Sequence, residues 1–220
     1  MIEVIVPQYG HRCYLPDLIQ SMLHQDLNGW CLKIYNDEPG RFFYYSKDSQ
    51  IQIYHGDKNE GQSFRFNQGI VEAKSEWVAF MGADDMAMNW KISSLDDHTK
   101  DADVIYTDAI QLMQNDERYY IKSMDFDPAA IMLNNFIVAS TVAVRRKFVI
   151  EKDIPFQSDL RYGEDWYFYN ELAIAGARFK YLPWPTVYYR DYTSNIKVRY
   201  GVEWIEQKKQ LWHKIQELYK

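Results

Sequence analysis

Two adjacent carboxylates, Asp84 and Asp85, follow the unbroken apolar run Trp77-Val78-Ala79-Phe80-Met81 and the step Gly82-Ala83. A run of this kind reads as a strand buried on both faces. Acids just past the carboxyl end of such a strand stand where open α/β sheets bind ligands. A carboxylate pair there suits a hard divalent cation, which takes oxygen ligands and commonly bridges to phosphate. The competing reading is a helix cap, since Met86 to Lys91 can follow as a helical turn. Two further acid positions lie at the ends of predicted elements. Asp37 follows the apolar stretch Leu32-Lys33-Ile34-Tyr35, where it can accept a hydrogen bond from a base or ribose, or serve the turn Asn-Asp-Glu-Pro-Gly. Glu164 and Asp165 open a predicted helix. There they can complement the helix dipole or, held ionised by it, accept a proton.

The elements that must position these acids read in order. Strands are expected over 2–6, 32–35, 51–54 and 76–81, with helices over 14–23 and 61–73 between them. That β-α-β-β-α-β order implies a mostly parallel sheet flanked by helices. Beyond residue 100 the pattern is mixed. It predicts strands over 102–106, 136–144, 179–182 and 186–189 and a hairpin joining 109–113 to 119–123. Helices follow over 163–175, closed by Gly176, and over 202–219, the latter amphipathic with Trp204, Ile205, Leu211, Trp212, Ile215 and Leu218 inward. One domain over residues 1–220 is expected, a nucleotide-type half (1–108) and a second half (109–220), with the site in the cleft between them.

Composition narrows the chemistry. With 220 residues, 47% hydrophobic, the chain can bury a sizeable core. A net charge of -6 argues against broad nucleic-acid binding. The tail from Ile196 carries Lys197, Arg199, Lys208, Lys209, Lys214 and Lys220, enough for a peripheral contact with an anionic membrane or simply a solvated face. Cys13 and Cys31 have no short-range partner motif, which fits a reducing, cytoplasmic setting and gives no zinc site. No apolar run approaches a membrane span. Neither a dinucleotide fingerprint, a P-loop nor a serine elbow is present, and the five histidines lack metal-ligand spacing.

Six stretches in register resemble one family. They are Ile2-Glu3-Val4-Ile5-Val6-Pro7-Gln8-Tyr9-Gly10, Ser21-Met22-Leu23-His24-Gln25, Ile34-Tyr35-Asn36-Asp37-Glu38-Pro39, Asn59-Glu60-Gly61-Gln62-Ser63 with Asn67-Gln68-Gly69-Ile70, Phe80-Met81-Gly82-Ala83-Asp84-Asp85, and Gly163-Glu164-Asp165-Trp166. Together they resemble a GT-A-fold glycosyltransferase of the family-two group. The resemblance implies an α/β fold and an inverting transfer of sugar from a nucleoside-diphosphate sugar, most often UDP-linked, to a glycan or other hydroxyl acceptor. It implies that Asp85 holds Mn²⁺ or Mg²⁺ and that Asp84 contacts the ribose or assists at the metal. Asp37 would read the base beside Pro7 and Tyr9, with Asn67 and Arg190 also at the donor, and Asp165 would be the catalytic base with Glu164 orienting the site. The sequence departs from the family at Gly82, where an aspartate is usual, at Asn36, at Phe66 with Arg65 one place earlier, and at Asp191 in a usual histidine position. Asp191 is therefore expected as a replacement metal ligand, and Arg199 as a second cation for the diphosphate. Two rivals stand beside this reading: a sugar-nucleotide pyrophosphorylase, which the single glycine of Pro7-Gln8-Tyr9-Gly10-His11 disfavours, and a non-catalytic sugar or nucleotide binding module of the same fold.

Overall fold

A computed structural model describes residues 1–38, 48–160, 162–191 and 196–220, with side chains from residue 205 onward in the last stretch. Lys197, Arg199, Trp204 and the Pro39-Gly40 end of the predicted turn lie outside what it describes.

The first half is built as the sequence predicts. Strand β1 (Ile2–Gln8) leads through a 3-10 turn into α1 (Leu15–Leu23), then β2 (Trp30–Asn36), β3 (Ile51–His55), α2 (Gln62–Glu72) and β4 (Trp77–Phe80). The four strands pair in parallel in the order β3-β2-β1-β4. Parallel strands are covered by helices on both faces, so their residues are apolar without alternation; β1 and β4 are buried almost throughout. The last rung between β1 and β4 is Ile5↔Phe80. Pro7 lies beyond it, where a missing N–H costs no ladder bond on that side.

The second half departs from the expected segments. Met86–Ala87 forms a short strand, β5, and a helix, α3, begins only at Lys91–Asp96. Strand β6 (Val104–Met113) fuses two predicted strands and turns into β7 (Arg118–Ile121). Helix α4 spans Pro128–Leu133. The strand expected over 136–144 shrinks to β8 (Ala143–Arg145), preceded by a 3-10 turn at Ala139–Thr141. Side-chain bonds explain the loss: Asn135 Oδ1 accepts from Ile137 N (3.1 Å), and Thr141 Oγ1 donates to Val138 O (2.8 Å). Such local bonds compete with the sheet ladder. Helices α5 (Arg146–Lys152) and α6 (Glu164–Ile174) follow. The two short strands expected around Pro183 and Pro185 are one, β9 (Phe179–Asp191), parallel to β6 through register shifts at Asp108. The closing helix, α7 (Ile196–Leu218), starts six residues before its predicted start.

The whole sheet runs β3-β2-β1-β4-β8-β6-β9-β5, with β7 on β6; β4–β8, β8–β6 and β5–β9 are antiparallel. It is parallel in the first half and mixed in the second. One core, on the α1 and α3 side, holds Val4, Leu18, Trp30 and Leu95; the other, on the α2, α6 and α7 side, holds Phe66, Phe80, Phe168 and Leu211. Gly163 enters α6 at φ 69°, and a Cβ there would collide with Leu211 of α7, so glycine lets the closing helix seat against the start of α6.

Candidate active site

The acids converge at the carboxyl ends of β1, β2, β4 and β9 and at the amino end of α6. Gly82 starts the turn after β4. Its N–H donates to Ser140 Oγ (2.9 Å), and Ser140 Oγ in turn donates to Asp85 Oδ2. Asp85 Oδ1 accepts from the Arg190 backbone N–H (2.9 Å). Asp85 is therefore 2% exposed with both oxygens bonded to protein. Burial, and then the charge of Asp84, push its carboxyl up to about 7. Lys91, wholly buried, donates to Ser140 O (2.8 Å), and burial brings its amine down to about 7. Asp84 carries the adjacent carboxylate on the exposed side of this knot, 3.2 Å from His11 Nδ1.

Arg190, expected at the donor, also braces the frame. Its guanidinium donates to Asp84 O (2.7 Å) and Asp17 Oδ2 (2.6 Å) and lies 4.7 Å over the Tyr14 ring. The Asn67 amide accepts from Phe156 N and donates to Phe156 O, both at 2.8 Å. Asp37 is 3% exposed. It pairs with Arg65 and accepts the Glu60 and Gly61 N–H groups (3.1 and 3.0 Å), so it ties β2 to the start of α2. The carboxylate over the loop after β1 is instead Glu38. It pairs with Arg12 and accepts from Gly10 N (2.5 Å) and Gln8 Nε2 (3.3 Å), beside a Tyr9 that is 54% exposed.

At the start of α6, Asp165 Oδ2 accepts from Asn135 Nδ2 (3.1 Å) and Oδ1 from Trp166 N (2.8 Å). Glu164 Oε1 accepts from Gln62 Nε2 (2.9 Å), linking α6 to α2 across the cleft. Burial raises both carboxyls, and the charge of Asp165 adds to the rise at Glu164, which reaches about 7. Asp191 Oδ2 accepts from Gln111 Nε2 (2.5 Å).

Burial raises the Tyr189 phenol pKa, and the charges of Asp85, Asp191, Asp84 and Asp165 raise it further. This surplus of negative charge is what a divalent cation would neutralise. Among the described residues no group of three or more His, Cys, Asp or Glu is placed to hold a metal by itself. The set suits an ion such as Mg²⁺, which binds through one or two carboxylates and completes its shell with substrate phosphates. Of the adjacent pair, Asp84 is the more exposed, its side chain 18% accessible, while Asp85 already accepts a bond at each oxygen and would meet an ion through its remaining lone pairs.

Sequence reasoning missed Glu38, His11, Lys91, Gln111, Asn135, Ser140 and Tyr189. Glu38 and His11 sit in stretches already singled out, one and two residues from expected contacts. Lys91 and Ser140 carry no local signal, because only the packing of α3 on the 3-10 turn brings them to Asp85.

The sequence profile described as Glycosyl transferase family 2 matches residues 3–154. TuaG of Bacillus subtilis (strain 168) is 28% identical over 102 residues, covering 44% of this chain and 39% of TuaG. Glycosyltransferase GlyG of Streptococcus pneumoniae serotype 4 is 24% identical over 136 residues, 57% of this chain and 45% of GlyG. The chain thus spans less than half the length of these relatives. Among solved structures, Staphylococcus aureus TarS 1-349 in complex with UDP superposes with a TM-score of 0.67 at 18% identity, over 87% of this chain and 61% of that one. The mannosyltransferase PcManGT of Pyrobaculum calidifontis, in complex with GDP-Man and Mn²⁺, gives 0.63 at 13% identity, over 95% and 61%. The curled mixed sheet is the GT-A fold of these proteins. Among the described residues no helix is long and apolar enough to cross a membrane.

Proposed function

The chain belongs to glycosyl transferase family 2, and on that footing we propose that it moves a sugar from a nucleoside-diphosphate sugar, UDP-linked in the first instance, to an acceptor hydroxyl with inversion. The observation that carries this is the placing of Asp84 and Asp85, after β4, against Arg190 next to Asp191 at the end of β9, with Asp165 held at the start of α6 by Asn135. In this reading Asp165 accepts the proton of the acceptor hydroxyl. The oxygen attacks the anomeric carbon, a new C–O bond forms, and the bond to the diphosphate breaks with its electron pair leaving on the diphosphate. One in-line displacement inverts the centre. The raised carboxyl of Asp165 is a stronger base than an ordinary aspartate, and Asn135 holds it toward α4. Glu164, bonded to Gln62, fixes the start of α6 against the donor half.

Tyr9 and Glu38 shape the base pocket, and Asp37 acts on it through the wall it ties down. Asp84, the more exposed of the pair, assists at the metal, while Asp85 also holds the turn through Ser140 and Arg190. Asp84 and Asp191 would hold Mn²⁺ or Mg²⁺, which when bound supplies positive charge for the leaving diphosphate.

The test is release of nucleoside diphosphate from a panel of UDP-, GDP- and TDP-sugars, with Mn²⁺ or Mg²⁺ and with a chelator. Release with one donor, lost on chelation, is expected; folded protein that neither binds nor turns over any donor refutes the reading. Asp165→Asn should lower kcat by roughly 10²–10⁴ with donor affinity kept. The rival reading, a binding module without turnover, predicts donor binding alone.

A further inference from the structure

Gln111 stands in the second half of β6. The ladder sets it opposite Tyr119 of β7 on one side and opposite Tyr189 of β9 on the other. Cross-strand partners share a face with their Cβ atoms about 5 Å apart, so the two rings flank the glutamine. β9 shows which face this is. Side chains alternate along a strand, and Arg190 sends its guanidinium to Asp17 and over the Tyr14 ring at the start of α1. Tyr189 and Asp191 therefore point away from α1. Gln111 meets Asp191 on that face, where its Nε2 donates to Asp191 Oδ2 (2.5 Å). Asp191 is the last residue of β9. The residue before it holds the paired acids, its N–H on Asp85 Oδ1 (2.9 Å) and its guanidinium on Asp84 O (2.7 Å). One peptide unit thus joins the acid turn after β4 to a carboxylate steered from a neighbouring strand.

We propose that Gln111 is a positioning residue for the divalent cation: its amide fixes the Asp191 carboxylate beside the Asp84–Asp85 turn, and the affinity for the ion depends on that bond. This role rests on the reading of Asp84 and Asp191 as metal carboxylates given above. The support matters because Gly82 supplies no acid to the turn, and both oxygens of Asp85 already accept bonds from protein. An amide N–H donating to a carboxylate is a charge-assisted bond, stronger than a neutral one. Hydrogen-bond partners of ligating carboxylates orient them, and losing one typically costs roughly 10–100-fold in metal affinity.

The test is calorimetric titration of Mn²⁺ into the whole protein, with and without UDP. The wild type is compared with Gln111→Met, Asp191→Ala and the double variant. Gln111→Met keeps the length and removes the donor, and should raise the Mn²⁺ Kd by roughly 10–100-fold. Asp191→Ala should raise it at least as much. The double variant should bind no more weakly than Asp191→Ala, because the amide acts only through the carboxylate; a merely structural role would give additive losses. Gln111→Asn, one methylene too short to reach Asp191, carries the same expectation as Gln111→Met and serves if that variant does not fold. A Kd unchanged by Gln111→Met and Gln111→Asn overturns the proposal, as does an equal further loss in the Asp191→Ala background. Mn²⁺ binding indifferent to both residues, with diphosphate still released from a donor, overturns it while the transferase reading stands. Binding sensitive to both residues, with no donor turned over, would refute that reading and leave the role of Gln111 supported.

Discussion

Replacing Gly82 by alanine tests the central claim about the paired acids. A Cβ at Gly82 would stand 2.8 Å from Asp85 Oδ2 and 3.0 Å from Asp84 Oδ1, with Asp85 Cγ at 3.3 Å. The Asp85 carboxylate cannot swing aside cheaply, because it holds the Ser140 hydroxyl and the Arg190 N–H inside the protein. Making room breaks at least one of those bonds and strands a buried polar group, at a cost of about 1–3 kcal/mol. For a chain of this size each kcal/mol corresponds to roughly 2–4 °C, so a loss near 2 kcal/mol lowers Tm by about 4–8 °C. The displaced turn also carries Asp84, so donor KM should rise. Thermal unfolding and steady-state diphosphate release at several donor concentrations read both effects. A variant whose Tm stays within about 1 °C and whose KM is unchanged would refute the reasoning. Gly82→Asp, which restores the family's usual acid, should lose more stability than alanine, because it sets a third negative charge against two.

Three other outcomes follow from the same structure. Asn135 donates to ionised Asp165 and so holds its pKa down against burial; removing it in Asn135→Ala raises the pKa further. The base works only when deprotonated, so the acid limb of the kcat profile should move to higher pH with its alkaline plateau kept. Asn67→Leu strands the Phe156 N–H and C=O, at about 1–3 kcal/mol for each buried group, with donor KM unchanged; a raised KM at full stability would return Asn67 to the donor site. Lys33 and Glu3 form a buried ion pair in which burial raises the Glu3 pKa, but bonds from Lys33 and the Lys74 and Ser75 N–H groups bring it net below its ordinary value. Glu3 thus adds stability above its unfolded pKa that is lost as pH falls through the folded one. Lys33→Met should cost about 3–5 kcal/mol at pH 7 by denaturant unfolding, and less in acid, where protonation relieves the unpaired charge.

The parallel half of the fold was legible because buried parallel strands and their crossover helices leave strong local patterns. Ile2 to Gln8, Trp30 to Asn36 and Trp77 to Phe80 fall within a few residues of their predicted strands, which are mostly apolar, with Glu3 and Lys33 paired to each other. The second half was less legible because its segments are set by partners distant in sequence. The apolar run from Phe136 to Val144 has the composition of a strand, yet Asn135 and Thr141 bond locally and free Ser140 for Asp85. The prolines of β9 suggested two strands; pairing along β6 through a bulge makes one.

The sequence alone determined that Asp37, Asp84, Asp85, Glu164 and Asp165 stand at the ends of elements, since residue type and strand position are local properties. It could not decide which oxygens face the cleft. Tertiary structure decided that, by burying Asp85 under Ser140 and Arg190, by spending Asp37 on Arg65 and Asn67 on Phe156, and by leaving Asp84 outward. A carboxylate's role depends on whether protein or substrate satisfies its lone pairs, and the partners that settle this come from up to a hundred residues away.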